Sequence, residues 1–189
     1  VRLTRYYDNV RIIGPASVRP LDTARQVVLG RVVARPDVQQ VFVTQMFPAL
    51  WSAGETLGVD PVGVVAQSAH ETGWGRFGGN VKAEFCNTAG LKNGPAQQRT
   101  FPGITDGDNP LSHALFGNWY EGALAQAQHL CVYAGHPVVG LIVDPRYETV
   151  RQLNRTPIEN FSQLGGAWAP NPGYGELIEN VMRYLQGVS

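Results

Sequence analysis

Cysteine is nearly missing from this chain: Cys86 and Cys131 are the two present in 189 residues. With no CxxC pair, they exclude a structural zinc site built from thiolates, and a metal is not expected. One disulfide and two buried thiols fit such a pair equally well. Charge is also scarce, at 16% of residues, and sums to zero. A nucleic-acid-binding domain usually carries a basic face together with a basic total, so no nucleic-acid partner is expected. Long apolar runs are absent too. The longest, Val138 to Val143, is broken by Gly140 and falls far short of the roughly 20 residues that cross a bilayer. A soluble protein without membrane insertion is expected. No charged segment followed by an apolar run opens the sequence, which leaves a leader already removed or another export route as the two readings.

What is present is 43% hydrophobic residues and 22 glycines, enough for one compact, loop-rich domain. The charge is unevenly spread. Residues 1–36 hold seven arginines against Asp8 and Asp22, and this arm is read as a basic segment docked on an acidic body, with weak attraction to anionic polymers as the second reading. Gly14, Pro15, Pro20 and Pro36 make residues 1–36 an extended lead-in with one short helix from Asp22 to Val33. The main body is placed at 37–189. Apolar positions from Val38 to Leu57 recur at helical spacing, with a kink expected near Pro48. Asp60-Pro61 is a helix-start signal, and Gly73 and Gly75 form a stop, so Glu71 falls in the last turn of a helix. Residues 76–118, rich in Gly, Asn, Pro and Asp, read as a loop-rich lobe with a short hairpin, of the kind that often binds ligands. Further helices are expected from Trp119 to Ala134, Ile158 to Gly165 and Tyr174 to Leu185.

The segment His70-Glu71-Thr72-Gly73-Trp74-Gly75 carries the chemistry. A carboxyl at a helix C-terminus meets the partial negative charge of the last carbonyls, and a neighbouring Trp74 would exclude water from it. Both effects raise a carboxyl pKa, which suits a general acid that must stay protonated until it meets a leaving oxygen. A zinc-protease helix needs a second His four residues after the first, where this chain has Trp74. No Gly-x-Ser-x-Gly turn presents a serine nucleophile.

The blocks HETGWGRFGGNV at 70–81, NTAGLK at 87–92, GALAQAQHLCVYAG at 122–135, VDPRYETV at 143–150 and LGGAWAPNPGYGELI at 164–178 resemble, in order and spacing, the bacterial and phage glucosaminidase domain. The opening IIGPAS at 12–17 also looks like the lead-in of some members. The resemblance implies a mainly α, lysozyme-like fold with a glycan groove, acting on peptidoglycan after N-acetylglucosamine. It implies Glu71 as the catalytic acid, with Tyr174 near the catalytic centre. Asn87, Gly90, Leu91 and Lys92 would shape the groove, with Trp168 beside it. The chain departs from the pattern at Cys86, where relatives often have Asn, and at Thr88, where they often have an aromatic residue.

Beside the resemblance, Gln126, His129 and Tyr133 share one helix face. Such a stripe either lines a sugar groove, together with Trp74, or staples helices together from within. Asp106, Asp108 and Glu121 are the candidates for a second acid; the substrate's own 2-acetamido group is an alternative nucleophile that needs none. The rivals are a muramidase or lytic transglycosylase on the same fold, and a non-catalytic wall-binding or phage structural module. No cofactor is expected. A further wall-binding domain or phage partner is compatible with the sequence, as are roles in wall growth, phage lysis and phage entry.

Overall fold

A computed structural model describes residues 9–94, 113–153 and 155–188. The protein is mainly helical, a lysozyme-like helical domain, and its described residues form isolated β-bridges but no strand. Six α-helices follow in order: α1 (Ala24–Val33), α2 (Phe47–Leu57), α3 (Pro61–Thr72), α4 (Trp119–Tyr133), α5 (Tyr147–Gln152) and α6 (Tyr174–Gln186). None of the described helices is long and apolar enough to cross a membrane.

Helix α3 is the axis of the fold. Ten of its residues, from Pro61 through Ala69 and then Thr72, are buried, as expected for a helix that is apolar nearly all round. Each fully buried valine contributes about 1.5–3 kcal/mol from removal of apolar surface from water. Helices α2 and α6 pack on it, and α4 lies against α2. Close approach depends on small residues: a Cβ on Gly63 would stand 2.0 Å from the Phe161 ring.

The ends of α3 follow the sequence signals. Asp60 caps the start, its Oδ1 accepting from the Val62 amide at 2.9 Å, and Pro61 occupies a position where no amide is needed. At the other end Gly73 is left-handed, with φ 57°, and the Trp74 amide donates back to the Ala69 carbonyl at 2.8 Å. This is a Schellman-type stop. Trp74 itself is also left-handed, with φ 58°.

The expected kink before Pro48 is a π-helical turn, Phe42–Met46, that runs directly into α2. The lead-in is less independent than its composition suggests. Val10, Ile12, Val18, Val28 and Val32 share the core of α2, α3 and α6, so apolar burial holds the segment in place. Arg35 lies over the Trp74 ring and also pairs with Asp37. The Ser17 amide donates to Asp60 at 3.2 Å, and Gln186 donates to the Ser17 hydroxyl at 2.8 Å.

Two further expectations change. The helix placed from Ile158 to Gly165 is a single 3-10 turn, Phe161–Leu164, because the chain is extended at Asn160 and again at Gly165. In the loop-rich lobe, one antiparallel bridge joins Lys92 to His113; the remainder of the expected hairpin lies outside the described residues. Cys86 and Cys131 are both free thiols, and burial pushes the Cys131 thiol up to about 12.

Candidate active site

Glu71 opens onto a groove of about 400 Å³ whose walls include Asn80, Gly90, Lys92, His113 and Trp168. Among the described residues it is the acidic side chain in that lining. Its two carboxyl oxygens differ. Oε1 accepts from the Tyr174 hydroxyl at 2.5 Å and from the Trp168 indole at 3.2 Å. Oε2 faces Gly90, where a Cβ would stand 3.8 Å away. Gly90 is left-handed, with φ 62°, a conformation that glycine adopts without a Cβ penalty.

The carboxyl keeps an accessible face toward the groove, but protein atoms crowd it elsewhere, and this burial pushes its pKa above the usual carboxylate range. The bonds from Tyr174 and Trp168 act in the opposite sense by favouring the anion, and burial outweighs them. A protonated Glu71 with both donors on Oε1 therefore holds its proton on Oε2, the oxygen facing the groove. Burial and the adjacent Glu71 charge push the Tyr174 phenol well above its ordinary value, so it remains a donor.

Behind this pair runs a buried line of hydrogen bonds. Gln67 donates to the Tyr174 oxygen at 3.1 Å, and Gln126 donates to Gln67 Oε1 at 2.9 Å and to the Val64 carbonyl at 3.1 Å. Thr88 donates toward Gln126 Oε1 at 2.8 Å. From Gln126 through Gln67 and Tyr174 one donor of each side chain points toward Glu71, an arrangement in which successive bonds polarise one another, while the Thr88 hydroxyl also has the Gly122 carbonyl within 3.2 Å. Gln67 stands four residues before Glu71 on α3, hence on the same face. Sequence reading passed over it among the apolar positions, although the i, i+4 spacing to Glu71 is the signal that finds it.

The backbone permits this convergence. Gly175, directly after Tyr174, lies so close to the next segment that a Cβ would stand 2.1 Å from the Ser162 carbonyl oxygen. This contact sets the start of α6 and with it the phenol. On the opposite wall, Asn87 is fully buried and its side chain is committed to the turn it belongs to. It donates to the Leu91 and Ala114 carbonyls and accepts from the Leu91 amide. Its effect on the groove is to hold Gly90 and Lys92 in position.

Trp74 lies elsewhere. Its indole packs among Phe42, Tyr184 and Arg35, away from the groove, because the left-handed backbone turns it into the core. The indole beside Glu71 is that of Trp168. Gln126 is an internal staple, while His129 and Tyr133 line a second cavity with Trp168. His129 Nδ1 lies 2.7 Å from the buried Asp144 carboxylate, and its ring meets the Trp168 indole edge-on at 4.8 Å. Sequence reading did not single out Asp144. Of the proposed second acids, Glu121 accepts from the Gly117 amide at 2.7 Å at the start of α4 and is not part of the groove lining. Asp106 and Asp108 lie outside the described residues.

Comparison with protein families matches the chain to the model for Glucosaminidase, described as mannosyl-glycoprotein endo-beta-N-acetylglucosaminidase, over residues 47–187. That span includes α2 through α6 and every residue of the Glu71 environment described above. Neither the curated proteins nor the solved structures give a match.

Proposed function

From the premise that the chain belongs to the glucosaminidase family, and so to the glycoside hydrolases, we propose that it cleaves the peptidoglycan glycan strand after N-acetylglucosamine. In this reading Glu71 is the general acid. The observation that carries the proposal is the asymmetry of the carboxyl: Oε1 is occupied by Tyr174 and Trp168, while the groove-facing Oε2 belongs to a carboxyl that burial keeps protonated to higher pH. A proton on that oxygen suits delivery to a glycosidic oxygen as the bond breaks. Water or the substrate's 2-acetamido group attacks the anomeric carbon, and Tyr174 steadies the charge beside it. The anomer of the first product, followed by NMR, separates the two: inversion eliminates the acetamide, and retention eliminates direct attack by water.

On this reading the protein acts at the bacterial cell wall. Incubation of wild type and Glu71→Gln with purified peptidoglycan, followed by borohydride reduction and mass spectrometry of the ends, tests the assignment. Reduced N-acetylglucosamine from wild type alone supports it. Reduced muramic ends reassign the bond to muramidase chemistry, and no cleavage by folded wild type favours a binding module. The family description names one further substrate, a mannosyl glycoprotein. Release of its glycan, with peptidoglycan left intact, would replace peptidoglycan as the substrate.

A further inference from the structure

We propose that the basic cavity on the other side of Trp168 is a subsite for a carboxylate carried by the substrate strand, an inference that rests on the peptidoglycan reading above. The cavity has a volume of about 320 Å³ and shares Ala89, Gly90, Lys92 and Trp168 with the groove at Glu71. One face of its boundary is therefore the same indole that donates to Glu71 Oε1. A strand whose scissile bond lies at Glu71 has the substituent of a neighbouring sugar within reach of this space.

The cavity's electrostatics favour an anion. Arg146, at the start of α5, and Arg155, just beyond it, both line the space. Neither guanidinium has an acidic partner among the described residues. The acids nearby are already engaged. Asp144 is turned inward, its side chain fully buried, and bound by His129 and by the Arg146 amide. Glu148 pairs with Arg151. The Arg155 guanidinium lies 5.9 Å from the centre of the Tyr133 ring, and the Tyr133 hydroxyl is committed to the Ala167 carbonyl at 3.0 Å. Tyr133, His129 and Trp168 give the cavity an aromatic wall, while the arginines supply solvent-facing donors that no described acid occupies. Planar guanidinium groups match carboxylate geometry with two parallel bonds. A neutral sugar would leave both charges uncompensated.

In a peptidoglycan strand that carboxylate has two sources: the lactyl ether of a muramoyl residue with its peptide removed, or the peptide stem attached there. The test uses the full chain and the double variant Arg146→Gln/Arg155→Gln on three soluble strands. One bears stems, one has had its stems removed by an amidase, and one is the stripped strand with its lactyl carboxylates converted to methyl esters. Wild type is expected to show kcat/KM at least about tenfold higher on a carboxylate-bearing strand than on the ester, the scale of one charge-assisted contact. In the double variant this ratio falls to near one. Preference for the stem-bearing strand over the stripped one assigns the stem as the source; preference for the stripped strand assigns the lactyl group, whose carboxylate the stem's amide bond consumes; equal rates, both above the ester, show that either carboxylate is accepted.

A wild type indifferent to esterification, or a variant that keeps the wild-type ratio, overturns the subsite while leaving the proposed function standing. If wild type cleaves none of the strands, the proposed function fails separately. Binding of fluorescently labelled strands then decides the cavity. Carboxylate-dependent affinity lost in the double variant supports it, and equal affinities overturn it.

Discussion

The Tyr174 hydroxyl reaches Glu71 Oε1 at 2.5 Å across 103 positions of sequence, from the first residue of α6 to the last turn of α3. Glu71 is thus not made distinctive by its own helix alone. Its proton affinity is set by burial acting against two donors that arrive from the C-terminal third of the chain.

Tyr174→Phe removes a donor that favours the anionic carboxyl. The Glu71 pKa then rises further, so the alkaline limb of the pH profile of kcat/KM is expected to move upward while the maximum rate falls. Trp168→Phe acts in the same direction through its longer bond. A limb that moves to lower pH in either variant contradicts the role assigned to these donors.

Glu71→Gln keeps an oxygen to accept from Tyr174 and Trp168 and loses the transferable proton. Cleavage is expected to fall by about two to four orders of magnitude, the usual contribution of general acid catalysis. The thermal midpoint should stay within a few degrees of wild type. Release of reducing ends and a melting curve measure the two effects separately.

Asp60 controls a different pH response. Burial pushes its pKa up to about 7 from an ordinary 3.8, so the folded protein binds a proton there that the unfolded chain releases. This group's contribution is greatest below its unfolded pKa and is lost as pH rises through the folded value. The difference amounts to roughly 4 kcal/mol at most, at about 1.4 kcal/mol per pKa unit. Asp60→Asn retains an oxygen for the Val62 and Ser17 amides without the charge. Its stability relative to wild type should therefore increase between pH 4 and 8, and a pH-independent difference in denaturation free energy would refute this.

Gln126→Leu cuts the hydrogen-bond line at its centre and leaves Gln67 Oε1 without its donor, while the Thr88 hydroxyl keeps the Gly122 carbonyl at 3.2 Å. Loss of about 1–3 kcal/mol for each buried group left unsatisfied is expected, visible as a lower urea midpoint. Gly175→Ala should lose stability by about 1–3 kcal/mol through overpacking, and should lose activity as well, because the contact it disturbs adjoins Tyr174.

The local signals were legible. Asp60-Pro61 and Gly73 marked both ends of α3, and Tyr174 marked the start of α6, because caps and stops are decided by neighbouring residues. The family resemblance brought Glu71, Tyr174, Trp168 and Gly90 to one place, and the structure joins them there. What the sequence hid depends on tertiary direction. Trp74 stands three residues from Glu71, yet a positive φ turns it into the core. Gln126 and His129 share a helix face but meet different partners, Gln67 and Asp144. Helix α5 is six residues long, too short to show a period.

The order of the chain adds a timing to this arrangement. Glu71 and Gln67 are synthesised well before Trp168 and Tyr174, which complete the carboxyl's surroundings. A ribosome-bound chain ending before residue 168 carries the acid on its helix without either donor or the enclosure they help to form. The surroundings of the Glu71 carboxyl are thus completed by residues that emerge 97 and 103 positions after it, and a truncated product that keeps α3 without them lacks the environment proposed for the acid.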